Sequence, residues 1–245
     1  MEIAVISEVG RRAVMEDTYF VDDNLAGRGW LFGGIYDGHA GGFAARYAAE
    51  RLHKIFINQV MAGASPQQAF IHSYEMTSQE LSDQDSGTTA VTFLIRGKSI
   101  FTANVGDARA IVIGQQGLSQ LTIDHRLSNI EEGQRIKDRG GIISYPYVYR
   151  GNQGLMPTRS IGDQFFKEIG IIATPSLNEY SITQDDRLLV AACDGLFDVM
   201  TNEEIAQLAK RLPQPQELAS KLRDEVLFHR HGTDNLTILV VSLAS

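Results

Sequence analysis

Three aspartates stand where apolar stretches meet predicted turns. They are Asp37, Asp194 and Asp234, and each is followed directly by a glycine or an asparagine. A carboxylate at the end of a buried strand costs free energy unless its charge is compensated. Strand ends that are far apart in sequence can meet at one point of a folded sheet. A cluster of divalent metal ions at that point would supply the compensation.

The kind of metal follows from the oxygen atoms that these residues offer. Carboxylates and backbone carbonyls are hard ligands that suit Mg²⁺ or Mn²⁺, whereas zinc usually takes histidine or cysteine. Two such ions about 4 Å apart acidify a water between them and stabilise in-line displacement at phosphorus. Four more acids lie close to the proposed centre in sequence: Glu16, Asp17, Asp107 and Asp198. These residues together indicate metal-assisted hydrolysis of a phosphate ester.

The elements that must position these acids mix strands and helices without the regular rhythm of a doubly wound α/β fold. The sequence predicts strands over Glu2–Ser7, Thr18–Asp22, Leu31–Tyr36, Thr88–Arg96, Ser99–Val105, Arg109–Ile113, Leu118–Leu121, Leu188–Cys193 and Leu236–Leu243. It predicts helices over Gly42–Phe56, Pro66–Leu81, Asn129–Arg139, Thr201–Arg211 and Gln216–Phe228. Since short turns join several successive strands, we expect an α+β fold with two packed antiparallel sheets flanked by helices, a four-layer αββα sandwich.

Local signals mark where the helices begin. Ser65, Ser128 and Thr201 each precede a glutamine or glutamate by three residues, which is the pattern of a capping box. Between Ser144 and Pro175 the sequence is least regular, with Gly, Pro, Asn and Tyr interspersed. Loops of this length are often functional. We therefore expect a flap over a surface at roughly residues 144–175.

Composition limits the classes of partner. The 245 residues carry a formal net charge of −8 and no Lys/Arg-rich run, which argues against binding to nucleic acid. Cys193 is the single cysteine, so no intramolecular disulfide can form, and a reducing compartment fits. The first nine residues are too short and polar for a signal peptide, and no apolar run suits a membrane span. We expect a cytoplasmic monomer without membrane contact, although delivery into a host cell by a signal-free route would leave the same sequence.

Eight motifs in a fixed order give the sequence a family resemblance. The chain resembles the metal-dependent protein phosphatases of the type-2C class, the PPM family, from Arg12 to Thr237. In sequence order the motifs are Arg12-Ala-Val-Met-Glu-Asp17, Tyr36-Asp-Gly-His-Ala-Gly41, Ser86-Gly-Thr-Thr-Ala90, Asn104-Val-Gly-Asp-Ala-Arg109, Asp124-His125, Thr158-Arg-Ser-Ile-Gly-Asp163, Cys193-Asp-Gly-Leu-Phe-Asp198 and Gly232-Thr-Asp-Asn235. The resemblance implies one phosphatase catalytic domain over residues 1–245 that acts on phosphoserine and phosphothreonine in proteins.

The resemblance also implies which atoms hold two core Mn²⁺ or Mg²⁺ ions. Asp37 would bridge both ions, and the Gly38 carbonyl would help to hold one of them. Asp194 and Asp234 would bind the other ion directly.

Four further acids have roles farther from the core ions, again by resemblance. Glu16 and Asp17 would form hydrogen bonds to waters on the metals, and Asp107 and Asp198 would bind a third, weaker ion. For Asp107 and Asp198 the sequence leaves a second interpretation open, in which they are plain turn residues. At Asp107 this would be a tight hairpin with a local ion pair to Arg109.

Two side chains are implied to act on the substrate. Arg12 would clamp the phosphate with its planar donor fork; Arg11 is adjacent, but the spacing to Glu16 favours Arg12. His39 would protonate the departing serine or threonine oxygen. The implied mechanism is single-step hydrolysis by a metal-bridging hydroxide, without a phosphoenzyme. Taken singly, His39 and Arg12 could also be an ordinary loop histidine and a surface charge.

The same residues bear on three alternatives to this function. No arginine follows Cys193 in a phosphate-binding loop, so a cysteinyl-phosphate mechanism is disfavoured, and Ser86 lacks a nucleophile elbow. A catalytically inactive binding module would have lost metal ligands that this chain retains. A phosphatase of small phosphorylated molecules would carry the same active-site residues. Pro157 departs from the family pattern and is expected to disturb strand pairing in the flap.

Overall fold

Antiparallel strands form the centre of the structure, a computed structural model that describes residues 1–243. The strands are β1 (Ile3–Glu8), β2 (Thr18–Asp22), β3 (Leu31–Tyr36), β4 (Gly38–His39), β5 (Gly87–Thr88), β6 (Ala90–Arg96), β7 (Ser99–Val105), β8 (Arg109–Gly114), β9 (Leu118–Gln120), β10 (Ile142–Ser144), β11 (Tyr147–Arg150), β12 (Gln153–Leu155), β13 (Ile161–Gly162), β14 (Ser176–Ser181), β15 (Asp186–Ala192) and β16 (Leu236–Ser242). Ten of them form two five-stranded sheets, with the orders β1-β16-β15-β8-β9 and β14-β7-β6-β3-β2.

Alternation of side chains along the strands explains why the two sheets stack. In β3, Leu31 and Ile35 point into a core shared with Leu189 and Leu239 of the other sheet. The alternate residue Phe32 points outward into a second core. Because successive side chains leave opposite faces of a strand, each sheet buries one face on its partner sheet and the other on helices.

Four of the helices cover the outer faces of the two sheets. The α-helices are α1 (Phe43–Met61), α2 (Pro66–Glu80), α3 (Ile130–Asp138), α4 (Gln164–Lys167), α5 (Asp194–Phe197), α6 (Asn202–Arg211) and α7 (Pro215–Asp224). Helices α1 and α2 pack on the sheet that contains β3, and α6 and α7 pack on the sheet that contains β15. The α+β, four-layer αββα architecture is therefore confirmed.

The register of the sheets brings the ends of five strands to one edge of the sandwich. In one sheet, Ala192 at the end of β15 lies opposite Ile238 near the start of β16 and opposite Arg109 at the start of β8. In the other, Tyr36 at the end of β3 lies opposite Thr18 at the start of β2. Residues just beyond these strand ends consequently share one edge, as the positions of the aspartates predict.

Several local expectations are confirmed and others are corrected. The capping boxes at Ser65 and Thr201 are present. The cap of α3 is Asn129 rather than Ser128, because the Asn129 side chain accepts the Glu131 N–H. The predicted strand over residues 88–96 is divided at Thr89, whose N–H donates to the carbonyl of Asp37. Strand β14 was not predicted.

The region expected to be an irregular flap contains regular structure. Strands β10 to β12 form a small antiparallel sheet, and α4 follows within residues 144–175. Val148, Leu155 and Phe166 pack with Ile136 of α3 in a separate small core. Pro157 lies after the end of β12, so it interrupts no ladder. In residues 1–243, no helix combines the length and apolar character that crossing a membrane requires.

Candidate active-site cleft and metal centre

A cleft of about 610 Å³ opens at the edge where the strand ends meet. Most residues expected to do chemistry line it, namely Arg12, Glu16, Asp37, Gly38, His39, Asp107, Asp194 and Asp234. Asp17 is buried and Asp198 is exposed, and neither lines the cleft. Five of the seven predicted acids thus converge on one cleft.

Asp37 lies between β3 and β4, and hydrogen bonds to its carbonyl fix its backbone. Its carbonyl accepts hydrogen bonds from the Thr89 N–H at 2.9 Å and the Thr88 hydroxyl at 3.0 Å. Burial raises the pKa of the Asp37 carboxyl far above its ordinary value, and the negative charge of Asp194 raises it further. A carboxyl in this setting ionises readily only when cations approach it.

Asp194 and Asp17 also lie in surroundings that have little positive charge to compensate a carboxylate. Burial raises the pKa of Asp194 to about 8, and the neighbouring Asp107 adds to the increase. Burial also raises the pKa of Asp17 to about 6, although a hydrogen bond from the Thr237 hydroxyl at 2.7 Å opposes it. Among the described residues, the second oxygen of Asp17, Oδ1, has no hydrogen-bond partner.

Close packing fixes the backbone beside Asp37. A Cβ on Gly38 would lie 2.5 Å from the Glu16 carbonyl oxygen, so no larger residue fits there. The Glu16 N–H donates to Asn235 at 2.8 Å, and the Glu16 carboxylate accepts the Gly41 N–H at 2.6 Å. The segment before β2 is thereby tied to both the Asp37 turn and the Asp234 turn.

Arg12 reaches the cleft and engages an acid there. Its Nε and Nη2 donate to the two oxygens of Asp234 at 2.9 and 2.7 Å. Its side chain is 59% exposed, so the pair is open to solvent. Arg11 contacts His231 instead. The structure thus places Arg12, and not Arg11, in the lining of the cleft.

Arg126 is a site residue that the sequence did not reveal. Its Nε donates to Asp107 and its Nη2 to Asp198, both at 2.7 Å, and Nη2 lies 3.7 Å from Asp194. The hairpin ion pair between Asp107 and Arg109 is wrong, because Arg109 pairs with Asp124. Arg126 directly follows the Asp124-His125 motif, but nothing in that spacing indicates that its side chain turns toward the acids.

A second missed residue contacts His39. The His39 Nε2 lies 2.8 Å from Oδ2 of Asp163, which is 3% exposed, while the His39 side chain is 26% exposed. Burial by itself would lower the pKa of His39, but the charge and hydrogen bond of Asp163 outweigh it and the pKa is raised. Asp163 is the last residue of the motif Thr158-Arg-Ser-Ile-Gly-Asp163, and its place in that motif is the signal that could have identified it.

The donor set fits divalent cations by its chemistry and charge. Seven carboxyl groups line the cleft, those of Glu16, Asp37, Asp85, Asp107, Asp163, Asp194 and Asp234. Arg12 and Arg126 contact three of them. As placed within residues 1–243, no three acidic, histidine or cysteine side chains are close enough to enclose an ion. All-oxygen donors with excess negative charge suit Mg²⁺ or Mn²⁺ rather than zinc.

The metal-free protein is expected to lose stability as the pH rises from about 4 to about 8. Asp17 and Asp194 hold their protons up to about pH 6 and 8 when folded, against an ordinary value of 3.8. The stability contributed by the protonated forms is therefore lost as pH rises through those values. Mn²⁺ binds deprotonated carboxylates, so the increase in the Tm of the protein that Mn²⁺ causes should grow as the pH rises over the same range. Thermal unfolding in EDTA and in Mn²⁺ across this range measures both trends; a metal-free Tm independent of pH would contradict them.

The flap segment, residues 144–175, also lines the cleft. Its apolar and uncharged lining residues are Tyr147, Gln153, Gly154, Leu155, Met156, Pro157 and Phe166. Its base is fastened to α3 by Glu132, which is 1% exposed and accepts hydrogen bonds from Arg135, Arg159 and Thr158. These bonds overcome the effect of burial and hold the pKa of Glu132 at about 2.

Comparisons with known proteins find similar sequences. The sequence matches the family described as Protein phosphatase 2C over residues 1–234. The "Probable protein phosphatase 2C 45" of Oryza sativa subsp. japonica is 34% identical over 245 residues, which cover 96% of this chain and 85% of that protein. "Protein phosphatase 2C homolog 1" of Saccharomyces cerevisiae is 31% identical over 255 residues, covering 95% and 89%. A further Oryza relative, "Probable protein phosphatase 2C member 13, mitochondrial", is 33% identical, and this chain spans 65% of its length.

Solved structures share the fold. The serine-threonine phosphatase 2C from Toxoplasma gondii superposes with a TM-score of 0.87 at 22% identity, covering 98% of this chain and 94% of that one. A C. elegans sex determining protein superposes with the same TM-score and identity, covering 99% of this chain and 65% of that one. At this level of identity, the similarity concerns the arrangement of the chain alone.

Proposed function

The chain belongs to the protein phosphatase 2C family, and from that premise we propose that it is a metal-dependent phosphatase of phosphoserine and phosphothreonine in proteins. The observation that carries the proposal is the convergence of Asp37, Asp107, Asp194 and Asp234 with Arg12 on one cleft. Acids from both sheets meet there with too little positive charge around them, which is what a centre for divalent cations requires.

We propose two core ions, Mn²⁺ or Mg²⁺, with a weaker third. When bound, they would acidify a water for attack on phosphorus and neutralise the charge of the phosphoryl group. Asp37, assisted by the Gly38 carbonyl, would hold both core ions, and Asp194 and Asp234 would hold the second. The buried Asp17, with its Oδ1 free of protein hydrogen bonds among the described residues, would support them from behind together with Glu16.

Arg12 and His39 would act on the substrate itself. The guanidinium of Arg12 presents two parallel N–H donors, a geometry that matches two oxygens of a phosphate. In the structure these donors are taken by Asp234, so a cation that engages Asp234 would release them to the substrate. His39 lies on the cleft wall and would donate a proton to the departing serine or threonine oxygen. Hydrolysis would then proceed in one step, with no phosphoenzyme.

The remaining parts of the proposal concern organisation and location. We propose that residues 1–245 act as one catalytic domain, with the flap segment contributing to the choice of phosphoprotein. The lone cysteine, Cys193, is buried, which fits a reducing, cytoplasmic setting. We also propose a monomer, because the residues proposed to act at the cleft all belong to one chain. Fractionation and size-exclusion chromatography test these two points.

The direct experiment is a phosphatase assay with Mn²⁺, with Mg²⁺ and with EDTA. A phosphothreonine peptide and free small phosphate esters are compared in the same buffer. We expect turnover of the peptide in Mn²⁺ or Mg²⁺ and none in EDTA. Metal-dependent turnover of small esters without the peptide would indicate a small-molecule phosphatase instead. No turnover of either, with folded protein, would indicate an inactive binding module.

Asp107→Ala is expected to raise the Mn²⁺ concentration for half-maximal activity about tenfold, because a supporting carboxylate is lost. Asp124→Ala is the matched control, since it removes the partner of Arg109 in a neighbouring ion pair. The control should leave the metal requirement within about twofold. A metal titration of Asp107→Ala that matches the wild type would mean that Asp107 only forms an ion pair with Arg126 and does not support a metal.

A further inference from the structure

The contact between His39 and Asp163 joins two segments that are 124 residues apart in sequence. His39 belongs to β4, directly after the Asp37 turn, and Asp163 follows β13 at the base of the flap segment. The distance of 2.8 Å between Nε2 and Oδ2 is that of a charge-assisted hydrogen bond. Because Asp163 is almost fully buried and His39 is partly open to the cleft, the carboxylate is fixed and the ring faces the substrate side.

A small three-stranded sheet builds this contact. Its order is β13-β5-β4, and His39 lies opposite Gly87 while Gly87 lies opposite Gly162. Gly87 thus separates the two strands that carry the pair. A Cβ on Gly87 would lie 2.1 Å from Oδ2 of Asp163. The missing side chain at Gly87 is therefore what lets the carboxylate reach across the middle strand to the imidazole.

The backbone at Asp163 is adapted to the same end. Asp163 has a φ of 51°, in the left-handed region that is uncommon for a residue other than glycine. It stands at the N-cap of α4, yet its side chain makes no capping hydrogen bond there. An aspartate at an N-cap usually accepts an N–H of its own helix. Here the carboxylate is directed to His39 instead.

We propose that Asp163 is a positioning residue that holds the His39 ring so that Nδ1 faces the leaving group. The inference deepens the proposed function and rests on it. The doubly protonated imidazolium keeps its Nε2 proton in the hydrogen bond to Asp163. As a water oxygen bonds to phosphorus and the bond between phosphorus and the leaving oxygen breaks, the Nδ1 proton passes to the leaving oxygen. The products are the alcohol and inorganic phosphate, and His39 becomes neutral. A carboxylate that orients an imidazole in this way also stabilises its charged form.

A purely structural ion pair is the competing explanation. The same contact could serve to fasten the base of the flap segment to the central sheet. The two explanations differ in whether the loss in Asp163→Asn follows the basicity of the leaving group. Loss of proton donation through His39 slows esters with basic leaving groups selectively, whereas loss of a structural contact slows all esters alike.

The test is a double-mutant cycle with Asp163→Asn, His39→Ala and the double variant, on two substrates in saturating Mn²⁺. With His39 present, Asp163→Asn should lower kcat on a phosphothreonine peptide about 10- to 100-fold, while kcat on p-nitrophenyl phosphate, whose leaving group needs no proton, falls less than about threefold. In the His39→Ala background the same change should cause no further loss on the peptide. Equal factors in both backgrounds, or no loss in either, would overturn the proposal.

Two more variants guard against misfolding as the cause. Gly87→Ala changes no ionisable group but displaces the Asp163 carboxylate, and it should reproduce the peptide-selective loss only when His39 is present. Asp186→Asn is the matched control, since Asp186 is a buried carboxylate that accepts hydrogen bonds from Tyr180 and Thr183 outside the cleft. It should keep kcat within about twofold on both substrates. A peptide-selective loss in Asp186→Asn would overturn the proposal.

Failure of the proposed function looks different from failure of this inference. If wild-type protein shows no metal-dependent turnover, or if His39→Ala lacks a peptide-selective loss, the proposed function fails and the inference fails with it. If both hold and Asp163→Asn behaves as the wild type, the inference alone is wrong.

Discussion

Asp37→Asn is expected to lower metal-dependent turnover by at least about a thousandfold, which corresponds to about 4 kcal/mol of lost transition-state stabilisation. Asp37 is the acid placed between the others, since Asp194, Asp17, Asp107 and Asp234 all raise its pKa after burial itself. An amide keeps the shape of the side chain but removes the negative charge that would hold two cations. The measurement is kcat/KM on a phosphothreonine peptide over a Mn²⁺ titration.

The same substitution should leave the metal-free protein at least as stable as the wild type. A buried carboxyl with a raised pKa opposes folding more strongly as the pH rises, so the advantage of the variant in Tm should increase toward alkaline pH. Addition of Mn²⁺ should then raise the Tm of the wild type far more than that of the variant. The buried Asp186→Asn serves as control and should keep the wild-type response to Mn²⁺. Wild-type turnover in Asp37→Asn would remove this residue from the metal centre.

His39→Ala is expected to slow hydrolysis of a phosphoserine or phosphothreonine peptide about 10²- to 10³-fold, the range of general acid catalysis. Hydrolysis of p-nitrophenyl phosphate should change by less than about threefold, because p-nitrophenolate is a weak base and departs without a proton. Measuring kcat for a series of phosphate esters with leaving groups of increasing pKa shows whether the loss grows with basicity.

His72→Ala provides the matched control for that prediction. His72 is exposed on α2 and does not line the cleft. Its replacement should leave every ester unaffected. Equal losses of the His39 variant on all esters would argue that His39 supports the structure of the cleft and donates no proton.

The positions of the acids were predictable because strand ends can be read locally. Continuous apolar runs locate β3, β15 and β16. Antiparallel pairing of β15 with β16 brings Asp194 near Asp234, and stacking of the two sheets adds Asp37 from the end of β3. The capping boxes at two helix starts follow from short-range hydrogen bonds. These features depend on residues that are close in sequence.

Features that depend on long-range register were not predictable. Strands β4, β5 and β13 have two residues each, too few to show alternation, and so the pairing of His39 with Asp163 has no local signal. The guanidinium of Arg126 reaches its three acids only through tertiary structure. The shift of one helix cap from Ser128 to Asn129 has a simpler cause, because both residue types accept a backbone N–H well.

The core between the two sheets has a consequence for the chemistry at their edge. Asp37 extends from one sheet and Asp194 from the other, so the gap between their carboxylates depends on the volume of side chains such as Val91 and Leu189 in between. Protein interiors are close-packed and yield little. The thickness of this layer therefore sets the spacing of the carboxylates that would hold the ions. A methyl group gained or lost in this layer is expected to alter that spacing, although neither Val91 nor Leu189 lines the cleft.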